Sequence, residues 1–160
     1  MFERLEIVTK TADETKKTAA ELGIELKRER RQINALIIAL EGHLGSGKTT
    51  FIQGLAEGMG VKENVLSPTF LILKQFFLKS GRYKNLYHID AYRLKNPGEM
   101  IELGFKDLIN DPENIIVIEW ADKIRKILLK DTIWIKFYNL GGDKRKILIN
   151  LKLKIQNSKP

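Results

Sequence analysis

Residues Asn34 to Phe51 read NALIIALEGHLGSGKTTF, and the reading of this stretch decides the fold. Its first part, with Ile33 before it, is a short unbroken apolar run, INALIIAL. Apolar residues without alternation mark a strand buried on both faces. The second part, Gly42 to Thr49, satisfies the phosphate-loop pattern G-x-x-x-x-G-K-T in full. Glycines there let successive backbone N–H groups turn inward as a concave anion nest that side chains would block. The helix that follows aims its positive N-terminal end at the same phosphates. Lys48 is expected to reach the β- and γ-phosphates, and the Thr49 hydroxyl to ligate Mg²⁺. Lys48 to Met59 reads as that helix, with Phe51, Ile52, Leu55 and Met59 inward and Gly60 past its end. Adenine is favoured over guanine because a base-reading Asn/Thr-Lys-x-Asp is absent; in TKTAD the acid, Asp13, falls one position late.

Outside this stretch, Thr11 and Glu14 have capping-box spacing, so ADETKKTAAELG predicts a helix. TFLILKQFF and RYKNLYHID predict two strands whose short connection, LKSG, requires an antiparallel hairpin. Asn96-Pro97-Gly98-Glu99 is a helix start with Asn96 as N-cap. NIIVIEW predicts a second buried strand, and ADKIRKILLK a short amphipathic helix. TIWIKFYN and KRKILINLKLKI, joined at LGGD, form a second hairpin. The order from the N-terminus is therefore helix, strand, phosphate loop, helix, hairpin, helix, strand, helix, hairpin. The expected fold is an α/β phosphate-loop domain whose mixed parallel and antiparallel central sheet is flanked by helices on both faces.

Composition bounds the class. A chain of 160 residues, 43% hydrophobic and 30% charged, suits one soluble domain over 1–160, with the last five or so residues a basic disordered tail. With no cysteine, neither a disulfide framework nor a thiolate metal site is available. MFERLEIVTK has no apolar h-region, and ALIIAL is too short to span a bilayer, so a cytoplasmic location is expected. The net charge of +8 is local: residues 121–160 hold 11 basic and 3 acidic side chains, while the preceding residues are close to neutral. In the last strand Lys146, Lys152 and Lys154 share one face. That reads as an edge strand protected by lysines, or as a patch contacting nucleic-acid phosphates or an acidic partner surface.

A phosphate loop needs a carboxylate opposite the metal, on the end of a neighbouring strand. LYHID ends at Asp90 and IIVIE at Glu119, so these two acids are the candidates for metal holding and water activation. His88 reads as a hydrogen-bonded core histidine, and Trp120 as a packing residue or a neighbour of the nucleotide.

GHLGSGKTTF, SPTF, HIDAYRL and IEW, in this order, resemble the TsaE (YjeE) family, the ATPase component of bacterial tRNA threonylcarbamoyladenosine synthesis. The similarity runs from about Thr9 to about residue 149. It implies that Leu44, Gly45, Ser46, Gly47, Lys48 and Thr49 bind the ATP triphosphate, with Thr49 and Glu119 at Mg²⁺. It implies Asp90 as an acid for hydrolysis or metal, and Ser67 and Thr69 on a switch-like loop sensing the γ-phosphate. Trp120 would lie beside the nucleotide and Thr11 near the base. The implied partner is the TsaD–TsaB pair, which ATP hydrolysis would reset between turnovers. His43 and Ala121 depart from the family's usual Asp and Pro. Arg93 and Arg145 are candidate phosphate contacts. The alternative reading is a small-molecule or nucleoside kinase of phosphate-loop type.

Overall fold

A computed structural model describes residues 2–28, 33–68 and 70–152. Thr69 and the C-terminal tail lie outside them. The elements in chain order are β1 (Phe2–Thr9), α1 (Ala12–Leu26), β2 (Leu36–Glu41), α2 (Lys48–Gly58), β3 (Leu73–Phe77) and β4 (Asn85–Asp90). After these come α3 (Pro97–Glu102), α4 (Phe105–Ile109), β5 (Asn114–Glu119), a 3-10 helix (Ala121–Ile127), β6 (Ile133–Gly141) and β7 (Lys144–Lys152).

The seven strands form one sheet in the order β1-β7-β6-β2-β5-β4-β3. β2 pairs in parallel with both β5 and β6, and β5 with β4. Antiparallel wings come from the β3–β4 and β6–β7 hairpins. The expected mixed sheet with a parallel centre is what the chain builds. β2 alternates between two cores: Leu36, Ile38 and Leu40 pack with α1 and α2, while Ile37 and Ala39 pack with α3, α4 and the 3-10 helix. That double burial is why the strand reads as one apolar run. No described helix is long and apolar enough to cross a membrane.

The ends of the sheet differ from the sequence-based expectation. The first nine residues carry no predicted element, yet β1 pairs with β7 over eight positions, from Phe2↔Lys152 to Thr9↔Arg145. So β7 is an interior strand and not the lysine-protected edge expected of it. The edge is β1, where Glu3, Arg4 and Glu6 supply the charge that discourages pairing with another chain. β3 is also shorter than the expected run. The N–H groups of Leu71 and Ile72 both turn back to the Pro68 carbonyl, and Ile72 takes φ 64°, which breaks the strand before Leu73. Of the expected helix ADKIRKILLK, only Ala121–Ile127 is helical, as a kinked 3-10 helix whose buried residues, Ala121 and Ile124, follow a three-residue spacing.

Helix α2, which begins at Lys48, is seated by its close approach to α1. A Cβ on Gly54 would lie 2.1 Å from the Lys16 carbonyl oxygen, and one on Gly58 2.0 Å from that of Ala20. From the α1 side, a Cβ on Gly23 would meet the Leu55 carbonyl at 2.5 Å. These are backbone atoms, so any side chain at these positions forces the helices apart. Gly54→Ala is expected to lower stability by about 1–3 kcal/mol, the usual cost of overpacking. Urea denaturation reads it as a lower midpoint; an unchanged midpoint would mean that the two helices separate without cost.

Candidate functional site

β2, β5 and β4 run parallel, so their C-terminal ends lie on one edge, where open α/β sheets bind ligands. The loop from Gly42 to Gly47 leaves β2 there and enters α2. Gly45 and Gly47 have φ of 75° and 96°, which L side chains rarely adopt. Gly47 is the N-cap of α2 and has no side chain to cap it, so the first N–H groups of the helix stay available. A cleft of about 560 Å³ opens over this loop. Its lining includes Leu44 to Thr50 from the loop and helix, Ser67, Asp90, Tyr92, Glu119 and Trp120, together with Ala12, Asp143 and Arg145.

Asp90 and Glu119 are register partners at the ends of β4 and β5. Thr49 Oγ1 donates to Glu119 Oε1 at 2.8 Å, which ties the start of α2 to the end of β5. Glu119 Oε2 meets His88 Nε2 at 2.9 Å and Ser67 Oγ at 3.2 Å. Ser67 Oγ also lies 3.0 Å from Asp90 Oδ2, and Tyr92 N–H donates to Asp90 Oδ1 at 2.9 Å. Two carboxylates thus share one serine hydroxyl, which has only one proton to give. Burial is the largest influence on Glu119 and pushes its carboxyl upward. His88, by hydrogen bond and charge, and the Thr49 and Ser67 hydroxyls outweigh it and hold Glu119 below its ordinary 4.5.

Lys48 is 5% exposed, and its Nζ donates to the carbonyls of Gly42 and His43. The ammonium sits 4.1 Å over the Trp120 ring. Burial lowers its pKa, against the opposing pull of Glu119, Asp90 and Asp122. Trp120 holds a left-handed backbone (φ 56°, ψ 37°) directly after Glu119, with its ring 5.1 Å from that of Tyr92. Strain of this kind in a non-glycine residue gathers at functional sites.

The donors around Thr49 are hydroxyl and carboxylate oxygens, the set that a hard divalent cation prefers. Among the described residues no three His, Asp or Glu side chains form a metal cage by themselves.

Beyond this geometry, the sequence profile of the family described as "Threonylcarbamoyl adenosine biosynthesis protein TsaE" matches residues 9–147. The chain belongs to the TsaE family. It is 36% identical over 140 residues to a Rickettsia felis protein named tRNA threonylcarbamoyladenosine biosynthesis protein TsaE, covering 87% of this chain and 75% of that one. A Bacillus subtilis protein of the same name is 37% identical over 111 residues, 69% of this chain and 66% of that one. The crystal structure of YdiB from the same Bacillus superposes with a TM-score of 0.72 at 30% identity, covering 94% of this chain and 87% of that one.

Within the TsaE frame, the structure brings Leu44 to Thr49, Ser67, Asp90, Glu119 and Trp120 to one cleft. Thr69 lies outside the described residues. Thr11 stands at the rim: its hydroxyl caps α1 by accepting from Glu14 N–H at 3.1 Å, and its neighbour Ala12 lines the cleft. Arg145 reaches over the loop and donates to the Gly45 carbonyl at 3.0 Å. Arg93 instead stacks on Phe70, with its guanidinium carbon 4.9 Å from the ring centre, and is not among the cleft residues. Tyr92, Asp143 and Thr50 were not singled out from sequence; Tyr92 stands inside HIDAYRL, and that position was its available signal.

A depressed carboxyl stabilises the fold above its unfolded value and loses that contribution as pH falls through the folded value. The stability advantage of the native chain over Glu119→Gln is therefore expected to shrink below about pH 4.5. Thermal unfolding of both from pH 7 to pH 3 measures it, and parallel curves would contradict the depressed carboxyl.

Proposed function

We propose that this protein is a magnesium-dependent ATPase serving tRNA threonylcarbamoyladenosine formation, and that its ATP hydrolysis resets a TsaD–TsaB type complex between turnovers. Family membership supports the pathway. The observation that carries the ATPase reading is the hydrogen bond from Thr49 to Glu119 at the mouth of the glycine loop, with Asp90 joined to the pair through Ser67.

Each residue then has a task. The loop's backbone N–H groups and the start of α2 receive the phosphates. Lys48 brings a cation that is only partly solvated and is therefore strongly felt by phosphate oxygens. Thr49 and Glu119 would hold the metal, whose positive charge, when bound, would neutralise charge that develops in transfer. Asp90, fixed by the Tyr92 N–H and by Ser67, presents a carboxylate that can orient the attacking water. Arg145 spends its guanidinium on the carbonyls of Gly45, Gly142 and Lys144 and on the Asn139 side chain. A cation so engaged does not complete a cage around the γ-phosphate, which agrees with slow turnover until a partner docks. Contact with tRNA, through the complex or from the basic C-terminal strand, belongs to the same proposal.

The test is MgATP hydrolysis by the purified chain, alone and with the TsaD–TsaB pair. Low activity alone and a clear rise with the pair are expected, and Lys48→Ala should abolish both. Equal rates with and without the pair would sink the accessory role, and undiminished hydrolysis by the lysine variant would sink the site.

A further inference from the structure

His88 is fully buried on the sheet face that packs against α2. Its strand neighbours on that face are Leu86 and Asp90, and across the β4–β5 pair it faces Val117, with Ile115 and Glu119 on either side. Apolar packing would be served better by another leucine or valine. Only one ring nitrogen has a partner among the described residues: Nε2 lies 2.9 Å from Glu119 Oε2, and Nδ1 has none. A buried nitrogen without a hydrogen bond costs stability, and a histidine kept only for packing would not retain it.

The partner explains the choice. Glu119 has two oxygens with different duties: Oε1 accepts from Thr49, and Oε2 accepts from His88 and Ser67. An ionised carboxylate only accepts, so Nε2 carries a hydrogen.

We propose that His88 is a positioning residue for the metal end of the cleft: its Nε2–H pins one oxygen of Glu119 and turns the other toward Thr49. The inference rests on the reading of the cleft as a magnesium–nucleotide site. The role is that of an outer-shell hydrogen-bond donor, which orients a ligand without touching the metal.

Glutamine and asparagine separate this from a packing role. A glutamine amide nitrogen reaches about as far from the backbone as histidine Nε2, whereas asparagine ends near the position of Nδ1. Both place one buried amide at position 88. The measurement is Mn²⁺ binding to the protein–ADP complex by electron paramagnetic resonance, with thermal unfolding as a check on folding. ADP binding in EDTA is measured alongside. For His88→Asn, Mn²⁺ affinity is expected to fall by about tenfold or more, while His88→Gln stays within roughly threefold of the native chain. ADP binding in EDTA should be alike in all three. Equal Mn²⁺ affinity in the two variants overturns the proposal and leaves His88 a core residue. If the native chain itself binds no Mn²⁺ with ADP, the reading of the cleft fails, and the role of His88 falls with it.

Discussion

The hydrogen bond from Thr49 to Glu119 joins the two halves of the molecule's working end. Thr49 belongs to the first turn of α2 and Glu119 to the last position of β5, residues 70 apart in sequence. Three donors converge on this one carboxylate: Thr49 from the first turn of α2, His88 from β4, and Ser67 from the segment after α2. An acid this buried would be costly without them, since desolvation acts against its charged form. The arrangement stands because each donor's backbone is fixed by something else. Thr49 is placed by the glycine-mediated seating of α2 on α1, His88 by the β4–β5 register, and Ser67 by the turn onto Pro68.

Those supports reach into the sheet. The parallel centre aligns the C-terminal ends of β2, β5 and β4, which sets Asp90 opposite Glu119 and puts both beside the loop that follows β2. The antiparallel wings do something different. The β6–β7 hairpin carries Arg145 across to the Gly45 carbonyl, and β1 closes the sheet beyond it. The side chain that reaches the loop is thereby anchored at its base by a strand paired on both sides.

Much of this was legible in the sequence because the relevant signals are local. The unbroken run before Gly42 shows double burial, the glycine spacing shows the loop, and Asp90 and Glu119 each end an apolar strand. Asn96 caps α3 as its spacing requires, accepting from the Glu99 N–H. What was missed depends on partners far along the chain. FERLEIVT is too charged to announce a strand until β7 lies beside it. Lysines on β7 suggested an edge for the same reason, since nothing local shows which strands flank it. The glycines of α1 and α2 look like weak helix formers until the two backbones are seen to touch. His88 read as core from its apolar flanks. Its burial was correctly inferred; its bond to Glu119 depends on the register between two strands.

The most direct test of the account is whether Thr49 and Glu119 form the metal end of a nucleotide site. Calorimetric titration of ADP, with Mg²⁺ and then in EDTA, reads this for the native chain and for Thr49→Val, which keeps the shape and removes the hydroxyl. The account predicts that Mg²⁺ tightens ADP binding to the native chain by about tenfold or more and has little effect on the variant. Equal tightening in both, or none in the native chain, would contradict it.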